Sequence, residues 1–234
     1  GDQTLIIEPD LDINGQVRCS SSGTAGSPRA RECPDSDETA LVLHTSGTTS
    51  RPKRVPLSHT NLKISARNVA ETYRLTADDV SLCVMPLFHV HGLVASTLAT
   101  LFTGGTVIAP PRFNPLSFWS TVRDHRVSWY SAVPTIHQVL LARSKAGSRP
   151  AGAEQLRFIR SCSAALAPQM MADLEERFGA PVLEAYGMTE AAHQMASNPL
   201  PPGARKPGSV GPGTDVSNPI SDEAGNLLPA GATG

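Results

Sequence analysis

A layered α/β/α fold is what this sequence predicts, and three observations carry the prediction. Short apolar runs alternate with stretches of helical periodicity from about Thr39 to Ala185. The runs are bounded by Gly, Pro or polar clusters, and they are apolar on both faces, as strands buried within a sheet must be. The 234 residues suffice for one large domain or a piece of a larger protein, and no internal repeat divides them.

In chain order, Thr4-Leu5-Ile6-Ile7 is a weak strand pattern, and the Ser/Gly/Pro/Arg-rich tract Ser20 to Arg31 reads as an exposed, mobile linker. The ordered core is expected from near Asp37. Ala40 to His44 reads as a buried strand. Ser58 suits the N-cap of a helix reaching Tyr73, because Leu62, Ala66, Val69 and Tyr73 recur on one face. Ser81 to Met85 then reads as a strand, Leu93 to Phe102 as a helix stopped by Gly104-Gly105, and Thr106 to Ala109 as a strand. Pro115 to His125 is helical in pattern, Val127 to Ala132 extended, Thr135 to Arg143 helical and Leu156 to Ser161 extended. Pro168 to Phe178 is a helix that Gly179 ends, and Val182 to Ala185 is one more strand. Pro and Gly dominate beyond Asn198, with a hairpin turn over Asp222 to Asn226. The divisions expected are 1–38 as linker and weak strand, 39–211 as the core, and 212–234 as the start of a β-rich segment.

The formal net charge of -1 leaves no global field to draw nucleic acid, and no apolar run is long enough to span a membrane. Cys19, Cys33, Cys83 and Cys162 lack CxxC spacing, which argues for free thiols in a reducing compartment, cytoplasmic or alternatively peroxisomal.

The chemistry centres on Thr45-Ser46-Gly47-Thr48-Thr49-Ser50-Arg51-Pro52-Lys53. A strand opening into hydroxyls, a glycine and a lysine supplies the donors and the mobile charge that a polyphosphate needs. The familiar G-x-x-x-x-G-K-[ST] loop is not what stands here, since Arg54 follows Lys53 and no second glycine precedes it, which excludes a P-loop NTPase. Pro52 and Pro56 keep a helix from starting off the loop. A solvated Ser/Thr-rich turn is the plainer alternative. Ligands of open α/β sheets collect beyond the carboxyl ends of strands, and three further ends carry unusual residues. Phe88-His89-Val90-His91-Gly92 holds two histidines without a further ligand set for zinc, so a satisfied core histidine is the competing reading. Arg160-Ser161-Cys162-Ser163-Ala164-Ala165 lets a flat ligand approach closely, or is ordinary small-residue packing. Glu184-Ala185-Tyr186-Gly187-Met188-Thr189-Glu190 offers a ring, a hydroxyl and a hard carboxylate suited to Mg²⁺ shared with phosphates.

In order, these motifs resemble those of adenylate-forming enzymes, the AMP-binding or acyl-CoA synthetase superfamily, over about Thr39 to Gly211. Ser50, Trp129 to Gln138, Ala191 to Met195 and Ser197 to Pro201 resemble the oxalyl-CoA synthetase branch in particular. Arg54 stands where most members have glycine, a departure that matters if that backbone requires positive φ. The resemblance implies an oxalate–CoA ligase-like enzyme using ATP, Mg²⁺ and CoA with a small carboxylate. Lys53, Glu190, His91 and Thr189 would be catalytic, and Glu190 the metal ligand. ATP would contact Thr45, Ser46, Gly47, Thr48, Thr49, Lys53, Ser163, Ala164, Ala165, Glu184, Ala185, Tyr186, Gly187 and Thr189. His91, Ser163 and His193 would edge the acyl pocket, although His193 could equally sit on a surface helix. It also implies a fragment of the large N-terminal domain that needs a C-terminal domain for full activity. A degenerate, non-catalytic nucleotide-binding or structural module is the alternative.

Overall fold

The computed structural model describes residues 6–11, 17–22, 35–45, 52–145 and 147–233. It divides into two units, Gly1–Asp35 and Ser36–Gly234. In the first, β1 (Ile6–Leu11) pairs antiparallel with β2 (Val17–Ser22). β2 takes up Ser20 to Ser22, which the sequence suggested were linker: backbone pairing with β1 holds them extended whatever their polarity. The rest of that tract lies outside the described residues.

The second unit opens with a hairpin of β3 (Thr39–Thr45) and β4 (Lys53–Ser58), in which Thr45 pairs with Lys53. Two expectations change here. β3 is not a buried sheet strand, since its exposure alternates and Val42 is 37% exposed. Only one face of the hairpin is covered, by Val55 and Leu57 packing with Val90, Val94 and Ala192. Arg54 pairs with His44 in extended backbone, so the position makes no demand for a glycine. β4 itself was not legible beforehand because Pro56 argues against a ladder, and Pro is tolerated only on an edge such as this one.

Ser58 caps α1 (His59–Thr72) as expected, and Asn61 returns the bond to the Ser58 backbone. The main sheet holds β5 (Val80–Cys83), β6 (Thr106–Ile108), β7 (Trp129–Ala132), β8 (Phe158–Ser161), β9 (Val182–Met188) and β10 (His193–Ser197). Their order is β10-β9-β8-β7-β5-β6, parallel throughout except for β10 against β9. Tyr130, Ile159 and Val182 pack on one face with α3 (Phe118–Asp124), α4 (Pro134–Arg143) and α5 (Pro168–Phe178). Their strand neighbours Trp129, Phe158 and Leu183 pack on the other with α1 and α2 (Ala99–Phe102). Alternation along a strand thus gives the α/β/α layering.

The helix expected from Leu93 begins earlier and is wound as a π-helix over His91–Leu98 before α2 continues it. Its first turn nearly touches the preceding chain: a Cβ on Gly92 would lie 2.4 Å from the Pro86 carbonyl oxygen. π-helical turns concentrate at functional sites. The turn at Asp222 to Asn226 is present, closed by Ser221 against Leu227. Among the described residues no helix is long and apolar enough to cross a membrane.

Candidate active site

Because β5, β7, β8 and β9 run parallel, the segments that follow them gather along one edge of the sheet. Two cavities open there. One, of about 320 Å³, runs between Ser163-Ala164-Ala165 and Glu184-Ala185-Tyr186-Gly187, with Gly208 and Val210 across from them. The other, also of about 320 Å³, is bordered by His91, Ser163, Met188, Thr189 and His193, with Met85 and Val133 beyond. Ser163 and Gly187 line both, so the cavities adjoin.

The backbone at this junction is unusual. Ser163 has φ 72° and His193 φ 116°, conformations that cost free energy in a side-chain-bearing residue. Such strain concentrates where geometry serves a ligand. Gly187 is required too: a Cβ there would lie 1.9 Å from the His193 carbonyl oxygen, blocking the β9–β10 pairing. The surface-helix alternative for His193 therefore fails, since the residue begins β10 and is 2% exposed.

Behind the second cavity lies a polar cluster. His91 Nδ1 is 2.9 Å from Ser163 Oγ, and its Nε2 is 2.7 Å from Ser131 Oγ. Arg160, fully buried, donates to Ser131 Oγ at 3.0 Å, Tyr73 Oη at 2.8 Å and Gln194 Oε1 at 3.0 Å, and its Nη2 lies 3.4 Å from His193 Nδ1. The His91 and His193 rings are 5.3 Å apart. Burial first, and the Arg160 charge second, hold both imidazoles well below the usual histidine range, so both are neutral.

On the other side, Tyr186 is 47% exposed along the first cavity. Glu184 is buried, and its Oε1 accepts the Leu166 N–H at 2.8 Å, which ties the loop after β8 to β9. Thr189 and exposed Glu190 form a 3₁₀ turn (Thr189–Ala191), and β4 lies against that turn. The elements carrying Lys53 and Glu190 are therefore packed neighbours, with Val55 and Leu57 of β4 touching Ala192. Ser46, Gly47, Thr48 and Thr49 lie outside the described residues, while Thr45 and Lys53 face each other across the hairpin. Among the described residues no three metal-ligating side chains cluster. Glu190 is a single exposed carboxylate, a donor of the kind Mg²⁺ takes together with substrate phosphates.

A model of the AMP-binding enzyme family matches residues 2–234. The chain belongs to that family. Among curated relatives, an oxalate–CoA ligase of Saccharomyces cerevisiae is 52% identical over 199 residues, covering 85% of this chain and 36% of the relative. One of Arabidopsis thaliana is 52% identical over 194 residues, covering 82% and 38%. A sulfoacetate–CoA ligase of Cupriavidus necator is 41% identical over 230 residues, covering 98% and 44%. Among solved structures, ATP-bound MatB of Rhodopseudomonas palustris superposes with a TM-score of 0.76 at 32% identity over 96% of this chain and 44% of its own. O-succinylbenzoate coenzyme A synthetase of Bacillus subtilis, in complex with ATP and magnesium ion, gives 0.73 at 29% over 84% and 40%. The chain thus spans well under half the length of these AMP-binding relatives.

Of the residues singled out in the sequence of this family member, His91, Ser163 and His193 come together, as do Ala164, Ala165, Glu184, Ala185, Tyr186 and Gly187. Arg160, Ser131, Gln194 and Tyr73 were not given roles. Arg160 had a signal: a charged residue inside the otherwise buried strand Phe158-Ile159-Arg160-Ser161 needs a reason to be there.

Proposed function

We propose that the full-length protein is an ATP-dependent acid–CoA ligase acting on a small dianionic acid, with oxalate as the first choice. The observation that carries this reading is the pair of adjoining cavities sharing Ser163 and Gly187, one lined by Tyr186 and the small residues Ala164 and Ala165, the other bordered by Thr189 and two neutral histidines. The first offers the Tyr186 ring for stacking on adenine, the second the donors for a carboxylate. The named substrates of the relatives, oxalate and sulfoacetate, are both small and doubly charged.

In the reaction proposed, a carboxylate oxygen of the acid attacks the α-phosphorus of ATP. The P–O bond to pyrophosphate breaks, leaving the acyl-adenylate. The sulfur of CoA then attacks the acyl carbon and AMP departs. Neither half needs a protein nucleophile, so the protein contributes positioning and charge neutralisation. Thr45 to Thr49 and Lys53 hold the outer phosphates, and Tyr186 with Ala164 and Ala165 holds the adenine. His91, Ser163 and His193 orient the acid. Thr189, which lines the second cavity, would contact phosphate, and Mg²⁺ bound at Glu190 would offset phosphate charge. The extended backbone at Arg54 removes the conformational objection to a working phosphate loop. Buried free thiols at Cys83 and Cys162 fit a reducing compartment, cytoplasmic or peroxisomal.

The test is thermal shift of the full-length protein with Mg-ATP, followed by pyrophosphate release across a carboxylate panel. Oxalate-dependent release supports the reading. Stabilisation by ATP with no release from any acid would assign a binding module instead. The 234 residues alone are expected to bind ATP weakly and turn over poorly.

A further inference from the structure

Arg160 is fully buried, and among the described residues no ion pair includes it. Its partners include no carboxylate: Tyr73 Oη, Ser131 Oγ, Gln194 Oε1 and His193 Nδ1 accept from it or lie beside it, and the Cys162 thiol is also within its reach. A guanidinium can only donate, and this has a directional consequence. Ser131 Oγ takes a hydrogen from Arg160 Nη1, and its own single hydrogen has one remaining partner, His91 Nε2 at 2.7 Å. His91 Nε2 is therefore an acceptor, and its proton sits on Nδ1. Nδ1–H then donates to Ser163 Oγ at 2.9 Å, which leaves the Ser163 hydroxyl hydrogen free at the cavity both sites share. The opposite tautomer would strand the Ser131 hydrogen between two donors in a buried site. The same logic makes His193 Nδ1 an acceptor and places its proton on Nε2.

We propose that Arg160 is a positioning residue that sets the hydrogen-bond polarity of the acyl cavity, so that the relay Ser131, His91, Ser163 ends in an O–H donor, backed by a buried positive charge without a carboxylate partner among the described residues, that selects a second anionic group on the acid. This rests on reading that cavity as the acid site. The neutrality of both imidazoles, held by burial and by the Arg160 charge, agrees with it.

Two readouts on the full-length protein test it. The first is the ¹⁵N imidazole spectrum, which needs no turnover: His91 is expected as the neutral Nδ1–H tautomer between pH 6 and 8. Ser131→Ala and Arg160→Met should each give a tautomer mixture, and Arg160→Lys should largely restore the single form. The second is the ratio of kcat/KM for oxalate over acetate in pyrophosphate release. It should fall about tenfold or more in Ser131→Ala, mostly through KM for oxalate. Should Arg160→Met fail to fold, Ser131→Ala still carries the test with the charge in place. An Nε2–H tautomer in the parent protein overturns the proposal, and so does an unchanged substrate ratio in Ser131→Ala. If the parent protein releases no pyrophosphate with any acid, the ligase reading falls, and the spectrum alone decides the polarity of the relay.

Discussion

The two ends of β8 hold arginines in opposite circumstances. Arg157, just before the strand, pairs with buried Asp79, and Asp79 also accepts from Ser128 Oγ at 2.7 Å. Those three residues precede β8, β5 and β7, so one carboxylate ties the amino ends of three parallel strands together. Arg160, near the carboxyl end of the same strand, has no carboxylate partner among the described residues and is held by hydroxyl, amide, imidazole and thiol groups. The arginine is ion-paired where the sheet is framed and lacks a carboxylate partner among the described residues where the cavities open. The lesson is that the same residue type serves architecture at one end and a waiting anion at the other, in keeping with ligands gathering beyond strand carboxyl ends.

Acid should break this contrast most strongly, because the buried histidines cluster toward the carboxyl end. His91 and His193 are held well below the ordinary value, and burial lowers His137 to about 4. In the unfolded chain each titrates near 6.5, so below that pH the unfolded state binds more protons. The stability they contribute is present above pH 6.5 and lost as pH falls toward the folded values. Urea unfolding at pH 7 and pH 5 should differ by about 2 kcal/mol for each such histidine, and His137→Gln should remove about one share of the difference. A flat profile would mean these rings are hydrated in solution.

Glu190→Ala comes next. It should lower pyrophosphate release by the full-length protein about 10²–10³-fold, roughly 3–4 kcal/mol, if the carboxylate holds the metal that offsets phosphate charge. Glu190 is exposed, so the unfolding midpoint should not move with it. Loss of fold alongside loss of rate would make the residue part of the frame instead.

Much of this was readable in advance. The alternation of strand and helix, the Ser58 cap and the Gly179 stop are local signals, and each stands where the pattern put it. The motif segments after β8 and β9 also fall together, because parallel strands force their ends onto one edge. What stayed hidden depends on contacts distant in sequence. β10 has His193 and Gln194 buried in a strand, which bonds to Arg160, Tyr73 and Thr72 make tolerable. β4 contains Pro56 and looks like no strand until β3 is laid beside it. The π-helical winding at His91 goes with a close approach of Gly92 to the Met85 and Pro86 carbonyls, which no periodicity reports.

The amino-end pin gives the third prediction. Asp79→Asn removes the charge that faces Arg157, leaving a guanidinium whose side chain is 39% exposed. Solvent reaches it, so the cost is well below that of a fully buried broken pair, about 1–2 kcal/mol in urea unfolding. The oxalate-to-acetate ratio should stay unchanged, since the pin lies at the opposite end of the strands. A shifted ratio would join the two ends into one network.

Arg160→Met is the smallest expected change in stability and the sharpest comparison with Asp79→Asn. Removing a buried charge that has no carboxylate partner among the described residues relieves a desolvation penalty, and a methionine of similar length refills the space. Against this stand the lost bonds to Tyr73, Ser131 and Gln194, of which Tyr73 Oη keeps Ser197 Oγ at 2.8 Å and Gln194 Nε2 keeps Thr72 Oγ1 at 3.2 Å. The two effects nearly offset, so unfolding free energy should change by no more than about 1 kcal/mol in either direction. A loss of several kcal/mol would mean that Arg160 is as structural as Arg157, and that the buried charge at the carboxyl end serves the fold before it serves any ligand.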